Sequence, residues 1–360
     1  MGGTKQLSAC PCYSMGMGKD SARSRLGQRD RRESMAARAE GLDTHWRSPD
    51  NVPSKEAVVV LRINEELGMS AFPMTHIEDL EVSRLIIGTN WFRGFSHYSA
   101  AKSRWIREYM DVDMIVEIMS VFARNGCNAV LSGPEPLMQE AIRRVKKETG
   151  VTIHWFCTPS GEGVDDLMPG IELSAEMGAA VCLPHQHWTD GNMIVNQKRI
   201  LGLERVTERI RELGMIPGLS THRPETVVVC DDAGYDVATY IQLYNPVGFL
   251  CQVETDWICR IINETPKPII VIKPLAAGRV LPPTGLTFVY GSIKPTDMVC
   301  IGTMSTYEAE EDIALSRNIL SGRGPTGTEL QFSRSKSGLV RQKVDPLATH
   351  APTQNEEETL

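Results

Sequence analysis

Between residues 83 and 320 the chain repeats one unit eight times: a short apolar run rich in β-branched residues, a loop, and then a segment with helical periodicity. The runs are SRLIIGTN (83–90), NAVLSG (128–133), VTIHWFCTP (151–159), AAVCLPH (179–185), MIPGLSTH (215–222), VATYIQLYNP (237–246), PIIVIKP (268–274) and DMVCIGT (297–303). Strands that alternate with helices need right-handed crossovers, which place the strands parallel to one another in one sheet. Eight such units over roughly 240 residues fit an α/β chain folded as a single (β/α)8 TIM barrel, here expected over residues 74–320. A doubly wound sheet would want about five or six strands and a Gly-rich first turn, whereas GTNWFRGFSH contains no GxGxxG.

The clearest helical segments are DVDMIVEIMSVFARNG, PEPLMQEAIRRVKKETG, NQKRILGLERVTERIRELG and STYEAEEDIALSRNIL. Gly150 and Gly214 stand where C-caps commonly fall, and Ser305 with Glu308 forms a capping box for the last helix.

Outside the repeats the pattern stops. Residues 1–50 hold nine Lys or Arg against six Asp or Glu and almost no apolar periodicity. Residues 1–73 are therefore expected to be a disordered arm or an over-extended start, with the working protein opening near Met74. The segment lacks the apolar core of a signal peptide, and Asp20, Asp30 and Glu33 argue against a transit peptide. From residue 321 to 360 the composition reads as a disordered, solvated tail.

No run of about 18 apolar residues occurs, so no helical membrane span is expected. The net charge of −7 gives no general attraction to nucleic acid or to an anionic membrane. Nine cysteines without a CxxC pair, several of them inside apolar runs, suit a reducing cytoplasm. The expected partner is a small-molecule substrate, and the sequence leaves a homo-oligomer open.

In a (β/α)8 barrel the site lies at the carboxyl ends of the strands. That rule nominates Asn90, Trp91, Arg93 and His97 after the first strand, Ser132 and Glu135 after the second, and Thr158 and Ser160 after the third. His185, His187 and Asp190 follow the fourth, Thr221, His222 and Arg223 the fifth, and Gln242, Tyr244 and Asn245 the sixth. Lys273 and Arg279 follow the seventh, and Thr303 and Ser305 the eighth. Asn90, Trp91, Arg93, Glu135, Gln242, Tyr244 and Ser305 are the expected substrate contacts.

Histidine placement is the most informative part. In an extended PHQHWTD segment His185 and His187 would share a side, and His222 ends the next strand. Together they could ligate a divalent metal, or they could hydrogen-bond substrate and act singly as acid or base. Lys273, closing an apolar strand, is expected to be desolvated, which favours the neutral amine of a Schiff base. A pairing with Glu135, or simple anion binding, is the alternative. The aromatic first loop, NWFRGFSHYSAAKSRWI, is expected to act as a lid.

PIIVIKPLAAGRVLPP followed by DMVCIGTMSTYEAEEDIALS resembles the end of aldo/keto reductase barrels, where the last two strands and the final helix hold a nicotinamide cofactor. That resemblance implies a barrel and an NAD(P)-dependent reductase. The family's catalytic set is an Asp, a Tyr, a Lys ending the third strand and a His ending the fourth; here the third strand ends WFCTPSG, and only His185 stands at a comparable place. The core as a whole also resembles a barrel family without an assigned reaction.

The expected function is therefore a barrel enzyme acting on a small polar or carbonyl-bearing metabolite, with Lys273, His185 and His222 as its catalytic residues. Lyase or aldolase chemistry, or metal-assisted hydrolysis, leads. A divergent nicotinamide-dependent reductase, with NAD(P) ranked below a metal, and a catalytically silent ligand-binding barrel are the alternatives.

Overall fold

The computed structural model describes residues 72–326. The expected N-terminal arm and C-terminal tail lie almost wholly outside these residues. Within them, eight strands close into a parallel barrel: β3 (Leu85–Gly88), β4 (Ala129–Ser132), β5 (His154–Cys157), β6 (Val181–Cys182), β9 (Ile216–Thr221), β10 (Thr239–Leu243), β11 (Ile269–Ile272) and β12 (Met298–Ile301). Closure is made by β12 pairing with β3, Val299 opposite Leu85 and Ile301 opposite Ile87. Every expected strand contains one of these, trimmed at its ends where the run gives way to loop.

The barrel interior is filled by Ile86, Ala129, Phe156, Val181, Leu183, Ile241, Ile270, Met298 and Cys300. Their neighbours in sequence, such as Leu85, Val130, Cys157, Tyr240, Val271 and Val299, face the helix layer. Burial on both faces explains why the strands read as unbroken apolar runs. Each fully buried large aliphatic or aromatic side chain in these two layers contributes about 1.5–3 kcal/mol relative to exposure.

A hairpin of β1 (Met74–Ile77) and β2 (Leu80–Ser83) precedes the barrel, and its Ile77 and Val82 join the interior cluster at the amino-terminal end. The bottom is thereby closed, so a site has to lie at the other mouth.

Helices α1 (Ala100–Tyr109), α2 (Val112–Arg124), α3 (Pro136–Thr149), α4 (Val164–Glu176), α5 (Gln186–Gly191), α6 (Leu203–Glu212), α7 (Glu225–Ala233), α8 (Thr255–Glu264), α9 (Pro282–Tyr290) and α10 (Thr306–Leu320) complete the fold. A short hairpin, β7 (Met193–Ile194) with β8 (Arg199–Ile200), lies between α5 and α6. Gly150 caps α3 in the left-handed conformation, as its position predicts. Ser305 accepts from Glu308 N, while the Glu308 carboxylate accepts from Met304 N at 2.6 Å. No helix of the described residues is long and apolar enough to cross a membrane.

Candidate functional site

The two-residue period of a strand decides which side chains reach the mouth. On β6, Val181 and Leu183 point inward, which places His185 on the interior side. On β9, Ile216 is interior, and the same period brings His222 inward.

Lys273 breaks this rule. Ile270 and Ile272 of β11 face the interior and Val271 the helices, so a continued strand would send residue 273 outward. Its φ of 60° lies in the left-handed region and turns the side chain back over the mouth. There it lies near Cys300 and within electrostatic reach of His97, His185 and His222. Ala276 and Ala277 also have positive φ, so the KPLAAGR turn holds three non-glycine residues in a conformation costing roughly 1–2 kcal/mol each. Backbone strain persists where the surrounding structure enforces it and collects at functional sites.

Burial brings the Lys273 amine down to about 8 from its ordinary 10.5. No carboxylate stands within ion-pair distance of it among the described residues. Cys300 provides no counter-charge, because burial pushes its thiol up to about 12 and keeps it protonated. Burial, the neighbouring His187 and the Lys273 and Arg93 cations bring His185 down to about 4. Burial, Lys273 and the other two imidazoles bring His222 down to about 3. His97 is also lowered, by desolvation and then by Lys273, against a raising bond from the Phe95 carbonyl. Near neutral pH the mouth therefore holds one partly protonated lysine among three neutral imidazoles.

The imidazole at His222 is positioned from behind. Asp190, on α5, accepts from Thr221 Oγ1 at 2.5 Å and from His222 N at 3.0 Å. Desolvation raises the Asp190 carboxyl, the Thr221 and His222 bonds opposing it.

The metal expectation is corrected by the local fold. Residues 186–191 form α5, with His185 as its N-cap accepting from His187 N at 3.3 Å, because Trp188 and Thr189 bury their side chains on its inner face. A helical turn separates the two imidazoles that an extended segment would have aligned. His187 faces outward, 3.6 Å from Glu162, with both side chains largely exposed. His185, His187 and His222 therefore do not converge, and no group of three or more His, Cys, Asp or Glu side chains suited to a metal occurs among the described residues.

Two expected substrate contacts face the wrong way. Ile241 is interior, so Gln242 and Tyr244 share the outer face with Tyr240. Tyr244 packs on Phe288 of α9 and donates to Ser292 Oγ at 3.0 Å, and Gln242 is wholly buried with Oε1 unpartnered. Ser305 is occupied in capping α10. Glu135 pairs with Arg93 rather than with Lys273, which settles the alternative pairing.

The first loop is built into the mouth. Phe92 is buried in the outer core, Ser96 and Ser103 hydroxyls meet at 2.8 Å, and Phe95 N donates to Asn90 O at 2.7 Å. Trp91 lies over Gly302, where an added Cβ would come within 2.7 Å of its Cδ1. Phe95 and Tyr98 remain exposed at the rim. Cys300 and Gly302 are not among the residues nominated from the sequence, although counting by twos from Met298 puts Cys300 on the inner face of β12 and Gly302, just past its end, on the same side. A groove of about 430 Å³ on the outer layer, along α3 from Pro136 to Arg143 and reaching Gly178, contains none of the candidate residues.

No family model and no curated protein matches the chain. Among solved structures, two of an aldo-keto reductase assignment from Pseudomonas aeruginosa align at 15% identity, covering 69% of this chain and 94% of theirs, with TM-scores of 0.51 and 0.52. A glycerol dehydrogenase from Gluconobacter oxydans aligns at 13% identity over 73% of this chain and all of its own, with a TM-score of 0.49. The first two establish the barrel architecture over most of the described residues. At such identity the likeness extends to the fold alone.

Proposed function

We propose that the chain is a cytoplasmic enzyme whose barrel mouth acts on a small carbonyl-bearing metabolite through the Lys273 amine. The observation that carries this reading is a half-buried lysine turned inward by a left-handed backbone, without a carboxylate partner among the described residues and surrounded by neutral imidazoles. Around pH 7 an amine titrating near 8 is about one-tenth free base, against about one part in three thousand for an ordinary lysine. Its lone pair attacks the carbonyl carbon, a C–N bond forms, and loss of the oxygen as water leaves an imine.

His185 and His222 titrate too low to be protonated at neutral pH, so each supplies either a neutral N–H donor to the carbonyl oxygen or a lone pair to a passing proton. Asp190 and Thr221 hold the His222 backbone and so fix where that ring sits. Lyase or aldolase chemistry through such an imine is the leading form. The seven free cysteines of the described residues suit the reducing compartment.

Carbonyl reduction with a nicotinamide cofactor is the second reading, favoured by the aldo-keto reductase fold neighbours and by the C-terminal resemblance. The residues of this chain do not fit the cofactor well at the place the resemblance indicates. The Glu308 carboxylate already occupies the start of α10, followed by Glu310 and Glu311, and opposes a phosphate there. No step is assigned to that cofactor.

Reductive trapping tests the leading reading. Incubation with a simple aldehyde and cyanoborohydride, followed by peptide mapping, should place the adduct on Lys273 and lose it in Lys273→Met. NADPH consumption with the same aldehyde, at an unchanged rate in Lys273→Met, would instead support the reductase.

A further inference from the structure

Three cations at the mouth have no carboxylate partner among the described residues. Besides Lys273, Lys102 on α1 places Nζ 4.7 Å from the Trp91 ring centroid and 5.7 Å from that of Tyr98. Arg279, in the turn that follows Lys273, stacks its guanidinium 4.1 Å from the Phe249 centroid and 5.5 Å from that of Tyr98, and donates to Ala276 O and His97 O. Lys102 and Arg279 thus share the Tyr98 ring, and Arg279 bonds the carbonyl of the residue whose imidazole senses Lys273.

The acidic groups near by are already committed. Glu135 holds Arg93, Asp190 holds Thr221 and His222, and Glu162 lies outside against His187. Every charged neighbour that perturbs His97, His185 and His222 is basic. The chain as a whole carries −7, so the positive mouth runs against the general balance. Arg279 is exposed at the rim and Lys102 half-buried beside it, above the desolvated Lys273, so an anion entering from solvent meets two uncommitted cations before it reaches the amine.

We infer that the mouth takes an anionic carbonyl compound, an oxo acid or a phosphorylated ketone or aldehyde, with its anionic group held between Lys102 and Arg279 beside Tyr98 and its carbonyl presented to Lys273. The carbonyl half rests on the proposed function; the anion half stands on the three cations. Arginine and lysine bind such groups by charge-assisted hydrogen bonds, and the aromatic faces of Trp91, Tyr98 and Phe249 hold both cations in place.

Matched pairs test it on the full chain. Levulinate against methyl levulinate, and dihydroxyacetone phosphate against dihydroxyacetone, differ mainly in charge. The half-saturating concentration for cyanoborohydride trapping at Lys273 should be about tenfold lower for the charged member of one pair, and Lys102→Gln or Arg279→Gln should erase most of that difference. The pair that responds tells carboxylate from phosphate. Equal half-saturation within both pairs overturns the inference while leaving the amine chemistry intact. Should no compound be trapped, the proposed function fails, and the anion site is read alone. Quenching of tryptophan fluorescence by levulinate or inorganic phosphate, lost in Lys102→Gln, then supports it, and absence of quenching overturns it.

Discussion

Replacing Lys273 by Met should make the protein more stable and less active at once. The lysine is held in a site that disfavours its charge: unfolded, it binds a proton with the ordinary value of 10.5, and folded with about 8. Each pH unit of difference is worth about 1.4 kcal/mol, so the buried amine costs about 3 kcal/mol at pH 7. The sign follows from proton counts. Between the two values the unfolded chain binds more protons, so the wild type gains stability as pH rises from about 8 to 10.5, and below 8 the whole penalty is present. Met fills a similar volume, accepts the same backbone conformation about as poorly as Lys, and has no charge to desolvate. Equilibrium unfolding in urea, at about pH 7 and about pH 10.5, gives the comparison. The variant should be more stable at pH 7 by about 2–3 kcal/mol, and the gap should close at the higher pH. A destabilised variant at pH 7, or a gap independent of pH, would refute the claim that the amine is desolvated and unpaired.

Three further outcomes follow from particular contacts. Gly302→Ala places a methyl carbon where Trp91 Cδ1 stands 2.7 Å away, so it should displace that ring, shift the tryptophan emission and cost about 1–3 kcal/mol in unfolding measurements. Ala277→Gly relieves a φ of 56° and should raise stability by about 0.5–1 kcal/mol with no change in the far-ultraviolet dichroism spectrum. Asp312, buried on α10 near Glu308 and Glu311, is pushed up to about 8 from an ordinary 3.8, burial being the larger cause. The folded chain holds its proton more firmly, so stability falls as pH rises from 3.8 to 8; Asp312→Asn should therefore gain about 1 kcal/mol or more at pH 8 and be near neutral at pH 4 by thermal melting.

The architecture is legible in the sequence because parallel barrel strands are buried on both faces and so print themselves as apolar runs, such as LIIG and IIVI. The β1–β2 hairpin is harder to see: MTHI and LEVS are four residues each, and only Ile77 and Val82 show that they plug the barrel. At the site, position along a strand is readable from the runs, and direction is readable too where the strand stays regular. Counting by twos along VATYIQLYNP, with Ile241 inward, turns Gln242 and Tyr244 outward, so their nomination as substrate contacts neglects the pleat. The α5 turn that separates His185 from His187 depends on burial of Trp188 and Thr189, which are tertiary contacts. Lys273 stands out for a sound chemical reason, an amine ending an apolar strand. That it reaches the mouth depends on a left-handed φ, which no residue type other than Gly, or more weakly Asn and Asp, announces.

The central claim is that the site lowers the Lys273 amine enough to leave about one-tenth of it as reactive free base at pH 7, and its protonation is directly measurable. Competitive labelling of the native protein with acetic anhydride across about pH 6 to 11, followed peptide by peptide in a mass spectrometer, gives the titration of each lysine that the reagent reaches. The account predicts a midpoint near 8 for Lys273, well below the ordinary lysine value of 10.5. A midpoint near 10.5 would contradict it.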